Sequence, residues 1–145
     1  MIAELRAGPR QGSAALRAAL EDVIAGADSA AEADLIRLIK ASGLPEAMYN
    51  AKLYVGSEFL AKPDAWWPAA GVAAEVDSRE WHLGPADWAR TMARHEKMTA
   101  HGIFVLHFTP RRIRTEPREV INSLQSAVRS GLERPPLPIR AISSR

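Results

Sequence analysis

The chain contains no cysteine among its 145 residues. Disulfide bonds, zinc–thiolate sites and thiol catalysis are therefore excluded. The absence of cysteine also fits a reducing compartment, so we expect a cytoplasmic protein. No apolar run approaches the roughly 20 residues that a membrane span needs, and the N-terminus lacks the apolar stretch of a signal peptide. We therefore expect no membrane partner.

The chain has little net charge, +2, although its pI is about 9.3. The charges are unevenly distributed. Residues 64–99 carry six acids and four bases, whereas residues 100–145 carry eight arginines and three glutamates. An acidic middle followed by a basic end is typical of a metal site beside a phosphate-binding surface. An arginine-rich solvated surface explains the same distribution equally well.

Two helices are predicted at the N-terminus. Hydrophobic periodicity indicates the first over Ser13–Ala25, which Gly26 ends, and the second begins at Ser29. Ser29 and Glu32 have the spacing of a capping box, in which each side chain binds a backbone N–H of the other residue. We therefore predict a separate helical extension over residues 1–28.

Strands and helices alternate in the rest of the chain. Strands are predicted at Met48–Val55, Phe59–Trp67, Val72–Asp77 and Ile103–Phe108, and helices at Pro85–Ala100 and Pro117–Ser130. The third strand, the helix after it and the fourth strand form a βαβ unit with parallel strands. The order predicts an α/β fold, a mixed sheet flanked by helices. Residues 131–145 are proline-rich, and we expect a flexible tail there.

Two acids share one face of the apolar third strand. Strand alternation puts Glu75 and Asp77 on the same side of the sheet. Carboxylates there are costly unless they are solvated, paired or bound to a metal. If the second and third strands fold about the Pro68–Gly71 turn, Asp64 lies opposite Glu75. Three carboxylates would then meet near one end of the sheet, as hard cations such as Mg²⁺ prefer.

Plainer interpretations exist for most of these residues. Asp64 follows a proline and could be a turn residue, and Asp77 could be an ordinary residue at a loop entry. Glu75 is the hardest to dismiss, because it lies inside an apolar run. His82 follows Asp77 by five residues, just past the strand, where functional loops gather.

The ordered set of motifs resembles the DUF559 proteins, which are Vsr-like relatives of the very-short-patch-repair endonucleases in the PD-(D/E)xK restriction-endonuclease-like superfamily. The matching motifs are Pro63-Asp64, Glu75-Val76-Asp77, Trp81-His82 and Val105–Thr109. The resemblance covers roughly Ser29–Val128. It implies a restriction-endonuclease-like domain over residues 29–130 with an α-β-β-β-α-β-α core, to which the N-terminal helix is added.

The resemblance implies a metal-dependent DNA endonuclease that hydrolyses phosphodiester bonds with Mg²⁺ or Mn²⁺, in repair, mobile-element or defence systems. Asp64 matches the metal-binding aspartate, and Glu75 matches the acid of the (D/E)xK element. Asp77 stands at the position where many members have lysine. His82 matches a histidine that is a candidate general base or phosphate contact. Glu32 matches a first-helix glutamate near the metal, although we favour the capping box for it.

Three departures from the family pattern weaken the expectation of activity. Ser78 replaces a glycine, Thr91 stands where related nucleases carry an aspartate, and His107 replaces an arginine. The alternative is therefore a catalytically weakened module that binds nucleic acid or acts as a regulatory, antitoxin-linked domain. A third hypothesis is a protein-interaction domain, suggested by Trp66, Trp67, Trp81 and Trp88, although core packing is the simpler interpretation.

Four arginines follow the last strand and could contact DNA phosphates: Arg111, Arg112, Arg114 and Arg118. A solvated loop is the alternative. DNA is thus the expected partner, and nothing in the pattern predicts an oligomeric state.

Overall fold

The computed structural model describes residues 10–77 and 84–143. These residues form four helices and seven strands. The fold class is mixed α/β, as the sequence predicts. In chain order the elements are α1 (Arg10–Ala41), β1 (Met48–Tyr49), β2 (Lys52–Val55), β3 (Glu58–Ala61), β4 (Ala65–Trp67), β5 (Val72–Val76), α2 (Pro85–Ala100), β6 (Phe104–Phe108), α3 (Pro110–Thr115), α4 (Pro117–Leu132) and β7 (Arg140–Ile142). No helix in the described part of the chain has the length and apolarity to cross a membrane.

The strands form two sheets. The four-stranded sheet has the order β1-β4-β5-β6, in which β5 and β6 are parallel and the other pairs are antiparallel. The three-stranded sheet has the order β3-β2-β7 and is antiparallel throughout. Helix α2 connects the two parallel strands, so the predicted βαβ unit is confirmed.

Each face of the four-stranded sheet covers a different core. One face packs against α1, α3 and α4 through buried residues that include Leu35, Ile39, Trp67, Val72, Phe108, Ile113 and Leu124. The other face packs against α2 and the three-stranded sheet through Leu53, Leu60, Trp66, Ala73 and Met98. The sheet is therefore buried on both sides, and any polar side chain on it needs a partner.

The two predicted N-terminal helices are one helix, Arg10–Ala41. Gly26 does not end it, because an internal glycine costs a helix only about 1 kcal/mol and the chain continues in helical conformation. Ser29 lies inside the helix, so the predicted capping box with Glu32 does not form. The helix also runs straight through the predicted boundary between residues 28 and 29.

Two of the predicted strands are each divided between the two sheets. Asn50, at φ 55°, separates β1 from β2 within the predicted Met48–Val55 strand. Asparagine tolerates this left-handed conformation better than most residues. Pro63 lies between β3 and β4, because a residue without an N–H group interrupts a strand ladder. The chain thus passes from one sheet to the other at both residues.

Residues 133–143, predicted to be part of a flexible tail, are held by the fold. The Arg134 guanidinium donates to the carbonyl oxygens of Ala70 and Gly71, at 3.3 Å and 3.0 Å. Strand β7 then pairs with β2 and completes the three-stranded sheet. Helix α3 is a further element that the sequence did not predict.

Candidate functional site

Asp64 and Glu75 lie on neighbouring antiparallel strands. The β4–β5 ladder pairs Ala65 with Ala74. Continuing this register by one residue puts Asp64 opposite Glu75, on the same face of the sheet. The Asp64 carboxylate accepts a hydrogen bond of 2.7 Å from the Val76 backbone N–H, which holds it against β5. The hairpin register assumed from the sequence is therefore the observed one.

Burial raises the pKa of both carboxyl groups. The pKa of Asp64 is raised to about 6, mainly by burial and also by the negative charges of Glu32 and Glu75, while the Val76 N–H and Arg94 act in the opposite direction. Glu75 is only 4% exposed, and its pKa is also raised by burial, although Arg94 lowers it. Neighbouring buried carboxylates repel one another, and a proton or a cation relieves that repulsion.

Glu32 stands beside this pair rather than capping its own helix. Its carboxylate accepts a hydrogen bond of 2.6 Å from the Asn50 side-chain amide. The Asn50 backbone N–H in turn donates to the Asp64 carbonyl at 3.2 Å. The capping-box interpretation of Glu32 is wrong, because Ser29 is an interior helical residue. Glu32 acts electrostatically on Asp64, and its role near a metal stays a prediction of the family resemblance.

Two basic partners contact Glu75 from neighbouring elements. The Arg94 guanidinium of α2 lies 3.2 Å from Glu75 Oε2. The parallel β5–β6 register places His107 beside Glu75, with His107 Nδ1 3.7 Å from the same oxygen. His107 Nε2 lies 2.7 Å from His95 Nδ1, and the two rings stack with centroids 4.8 Å apart. Glu75, His107 and His95 therefore form a chain of polar groups between β5 and α2.

Asp77, like Glu75, is a buried acid. It is 6% exposed, and its charge contributes to the raised pKa of Glu75. Its backbone N–H donates to the Phe108 carbonyl at 2.7 Å, which fixes the end of β5 against β6. His82, like Ser78 and Trp81, lies outside the described residues.

The sequence did not predict Arg94, His95 or His107 as partners of Glu75. His107 was noted only as a departure from the family pattern. The predicted βαβ unit did contain a partial signal, because it placed the fourth strand, which carries His107, beside the third, which carries Glu75. The register that pairs the two residues is seen only in the structure. Arg94 and His95 depend on how α2 lies across the sheet, which no local pattern encodes.

The oxygen donors of this site are of the type that hard divalent cations prefer. Asp64 and Glu75 present carboxylate oxygens, which Mg²⁺ and Mn²⁺ prefer, and Glu32 and Asp77 add negative charge nearby. No three His, Asp or Glu side chains of residues 10–77 and 84–143 stand together as a preformed metal site. Glu75 is instead paired with Arg94. Binding a cation would therefore require Glu75 to exchange one positive partner for another.

The segment that carries the four arginines begins at the sheet edge where the acids lie. Strands β5 and β6 are parallel, so Asp77 and Thr109 both follow the carboxyl ends of their strands. The Thr109 hydroxyl caps α3 by accepting from the Arg112 backbone N–H at 3.1 Å. The guanidinium of Arg112 lies 5.7 Å from the Phe108 ring centroid. The exposed arginines of this cluster are Arg111, Arg114 and Arg118.

Two proteins of Mycobacterium tuberculosis are similar to this chain. They are the uncharacterized protein MT2308 of strain CDC 1551 / Oshkosh and the uncharacterized protein Rv2248 of strain H37Rv, each 33% identical over 118 residues. The match covers 80% of this chain but only 42% of each relative, so the chain spans less than half the length of the relatives it matches. No family model and no solved structure matches the chain.

Proposed function

We propose that this domain is a metal-dependent DNA endonuclease of the restriction-endonuclease-like, DUF559 type, which acts in the cytoplasm. Asp64 and Glu75 would hold Mg²⁺ or Mn²⁺. The observation that carries the proposal is the opposition of these two carboxylates on adjacent strands, where burial and mutual repulsion raise the pKa of Asp64 to about 6. Such a concentration of buried, unfavourable charge is typical of functional sites.

A divalent cation bound there would stabilise charge on the transferring phosphoryl group and lower the pKa of bound water. The chain's own residues would bind and orient the substrate around it. The Val76 N–H holds the Asp64 carboxylate in place, and Arg94 neutralises Glu75 until a cation replaces it. His82 is the proposed general base, by its resemblance to the family histidine.

The proposed DNA contacts are the arginines that follow β6. Arg111, Arg114 and Arg118 are exposed and follow β6 in the chain, which ends at the same sheet edge as β5. Guanidinium groups bind phosphate oxygens strongly and without regard to base sequence, so these residues would fix the DNA backbone near the acidic centre.

The proposal is tested with Asp64→Asn, Glu75→Gln and the matched surface control Asp34→Asn. Supercoiled, linear, mismatched and single-stranded DNA are incubated with each purified variant and Mg²⁺ or Mn²⁺. We expect cleavage by the wild type and the control and none by the two site variants. Mn²⁺ binding measured by electron paramagnetic resonance should be lost in the same two variants. A wild type that cleaves none of these substrates with either metal contradicts the proposal.

A second candidate function is nucleic-acid binding without cleavage. The ion pair between Arg94 and Glu75 favours it, because it satisfies the carboxylate that a metal would need. This candidate predicts duplex binding in EDTA whose affinity falls steeply with salt. Arg114→Ala should reduce the slope of log affinity against log salt by about 0.9. Binding that is insensitive to salt would rule it out.

A further inference from the structure

The three-stranded sheet has one buried face and one open face. Leu53, Leu60 and Ala61 point inward and are buried against Trp66 and Met98. The β-bulge between β2 and β3 lets both Leu60 and Ala61 face the core opposite Leu53. Alternation along the three strands then leaves a set of side chains pointing away from the core, which we name the outer face: Lys52, Tyr54, Phe59, Arg140 and Ile142.

Three of these side chains form a row across the sheet. Tyr54 on the central strand pairs with Phe59 on one side and with Arg140 on the other. The rings of Tyr54 and Phe59 meet edge to face with centroids 5.7 Å apart, and the Arg140 guanidinium lies 4.9 Å from the Tyr54 ring centroid. Arg140 also donates to the Gly56 carbonyl at 3.3 Å, which holds it in place. Phe59 remains 47% exposed, so its ring is an open stacking surface.

A second row supplies positive charge. Lys52 is exposed and pairs with Ile142 on β7. Lys62 is exposed and directly follows β3, where the Leu53–Ala61 register places it opposite Lys52. The two rows are two residues apart along β2 and β7, which is about 7 Å.

The acids near these strands do not neutralise the row. Glu58 is the one acid within β2, β3 and β7 as the structure describes them. Its carboxylate lies 3.2 Å from the Lys97 ammonium of α2. Glu58 also pairs with Val55, whose side chain packs toward the core, so it points away from the outer face. The outer face therefore presents lysine and arginine without a facing acid in the described strands.

We infer that the outer face binds single-stranded DNA. Proteins that bind single strands combine cations that follow the phosphates with aromatic rings on which the bases stack, and the two rows provide these groups side by side. A duplex keeps its bases stacked on one another and so cannot use Phe59. A protein tells RNA from DNA by contacts to the ribose 2′-hydroxyl, and the outer face, within the described strands, has no carboxylate or amide side chain to accept a hydrogen bond from it. We therefore assign the surface to DNA, and oligouridylate is the comparison that tests this choice.

This surface is separate from the acidic site and needs no metal, so it is tested in EDTA. Fluorescence anisotropy with a labelled oligothymidylate of about 12 nucleotides measures binding to the wild type and to variants. Phe59→Ala should weaken binding about 10-fold or more, since stacking on one ring carries that much affinity. Phe59→Tyr should bind like the wild type, whereas Phe59→Leu, which keeps an apolar side chain without a ring, should bind weakly.

Matched controls separate this effect from general loss of structure. Leu132→Ala changes another exposed apolar side chain, 52% exposed on α4, and should leave binding unchanged. Lys52→Ala should reduce the salt slope by about 0.7, as expected for one lost phosphate contact to a single strand, whereas Arg17→Ala on α1 should not. Circular dichroism confirms that each variant is folded.

The outcomes that overturn the inference are specific. Folded Phe59→Leu that binds as tightly as the wild type removes the stacking role. If Phe59→Leu weakens binding to a duplex or to oligouridylate of the same length more than binding to oligothymidylate, the surface belongs to another ligand. Asp64→Asn should bind the oligothymidylate like the wild type even if it has lost all cleavage. A failure of the nuclease proposal therefore leaves this result unaffected, and the reverse is also true.

Discussion

At the scale of single residues, Asp64 should make the fold less stable as pH rises. Its folded-state pKa of about 6 lies above the ordinary 3.8, first because of burial and then because of Glu32 and Glu75. The folded state therefore holds this proton more tightly than the unfolded chain does. Stability is fully present below pH 4 and is lost as pH rises through about 6. A difference of about two pKa units corresponds to roughly 3 kcal/mol at most.

Asp64→Asn should remove this loss, because the amide is neutral at every pH and keeps an oxygen to accept from Val76. Urea unfolding should show the variant more stable than the wild type at pH 8, by on the order of 2 kcal/mol, and equal to it near pH 4. Asp34→Asn, at a side chain that is 45% exposed, is the control for removing a carboxylate outside the site. A variant that is less stable than the wild type at pH 8 contradicts the assignment of the cost to Asp64.

The contribution of Arg94 to stability should have the opposite pH dependence, since Arg94 stabilises the charged form of Glu75. Arg94→Met removes a positive partner 3.2 Å from a carboxylate that is only 5% exposed. The arginine is itself 45% exposed, so solvent screens the pair and we expect a loss of about 1 kcal/mol at pH 8. The loss should shrink as pH falls and Glu75 becomes protonated. A Glu75→Gln background should abolish it, and an equal loss in that background would show that Arg94 acts through packing.

The pairing of Asp64 with Glu75 could be predicted from the sequence, whereas their partners could not. Strand side chains alternate with a period of two, and a short turn leaves few registers, so two local rules determined which acids meet. The contact of His95 with His107 requires the lateral position and rotation of α2 over the sheet. That position is set by the buried packing of Met98 and its neighbours, which has no signature near His95.

At the scale of elements, α1 shows how a local stop signal can be overridden. Gly26 and the capping-box spacing of Ser29 and Glu32 both predicted a break. The helix continues because Leu35 and Ile39 bury one of its faces, and Glu32 finds a partner in Asn50. Packing energy of this kind exceeds the small intrinsic preference of one residue for ending a helix.

Two glycine substitutions test the continuous helix and its surroundings. A Cβ at Gly26 would meet nothing within 4 Å, whereas a Cβ at Gly131 in α4 would lie 2.1 Å from the Ala70 carbonyl oxygen. Gly26→Ala should therefore stabilise the protein by about 0.5–1 kcal/mol. Gly131→Ala should destabilise it by about 1–3 kcal/mol, because the backbone of Ala70 must move. Both are measured by chemical denaturation. Destabilisation by Gly26→Ala would support a break in the helix at that residue.

At the scale of the whole molecule, residues 133–143 join the two sheets. Arg134 binds the turn before β5 and stacks on Phe104 at 3.8 Å, and Leu137 packs against Gly71 and Gly102. The prolines of this segment predicted a flexible tail, because a proline-rich segment cannot form a regular helix or strand by itself. Composition does not report the contacts that Arg134 and Leu137 make with residues distant in the chain. Whole-molecule packing of this kind was beyond what local patterns could predict.

The segment should therefore contribute to the stability of the three-stranded sheet in particular. A variant ending at Leu132 loses β7 and leaves β2 with one neighbouring strand instead of two. We expect hydrogen exchange of the β2 amides to accelerate strongly, while amides of the β5–β6 pair keep their protection, because those strands remain covered on both faces.

Leu137→Ala should produce a smaller change of the same kind, with a loss of about 1–2 kcal/mol at this half-buried position. Pro135→Ala, at an exposed position, serves as the control. Equal exchange of β2 in the truncated and intact proteins would show that the segment is not part of the sheet, and it would also remove Arg140 from the proposed DNA-binding surface.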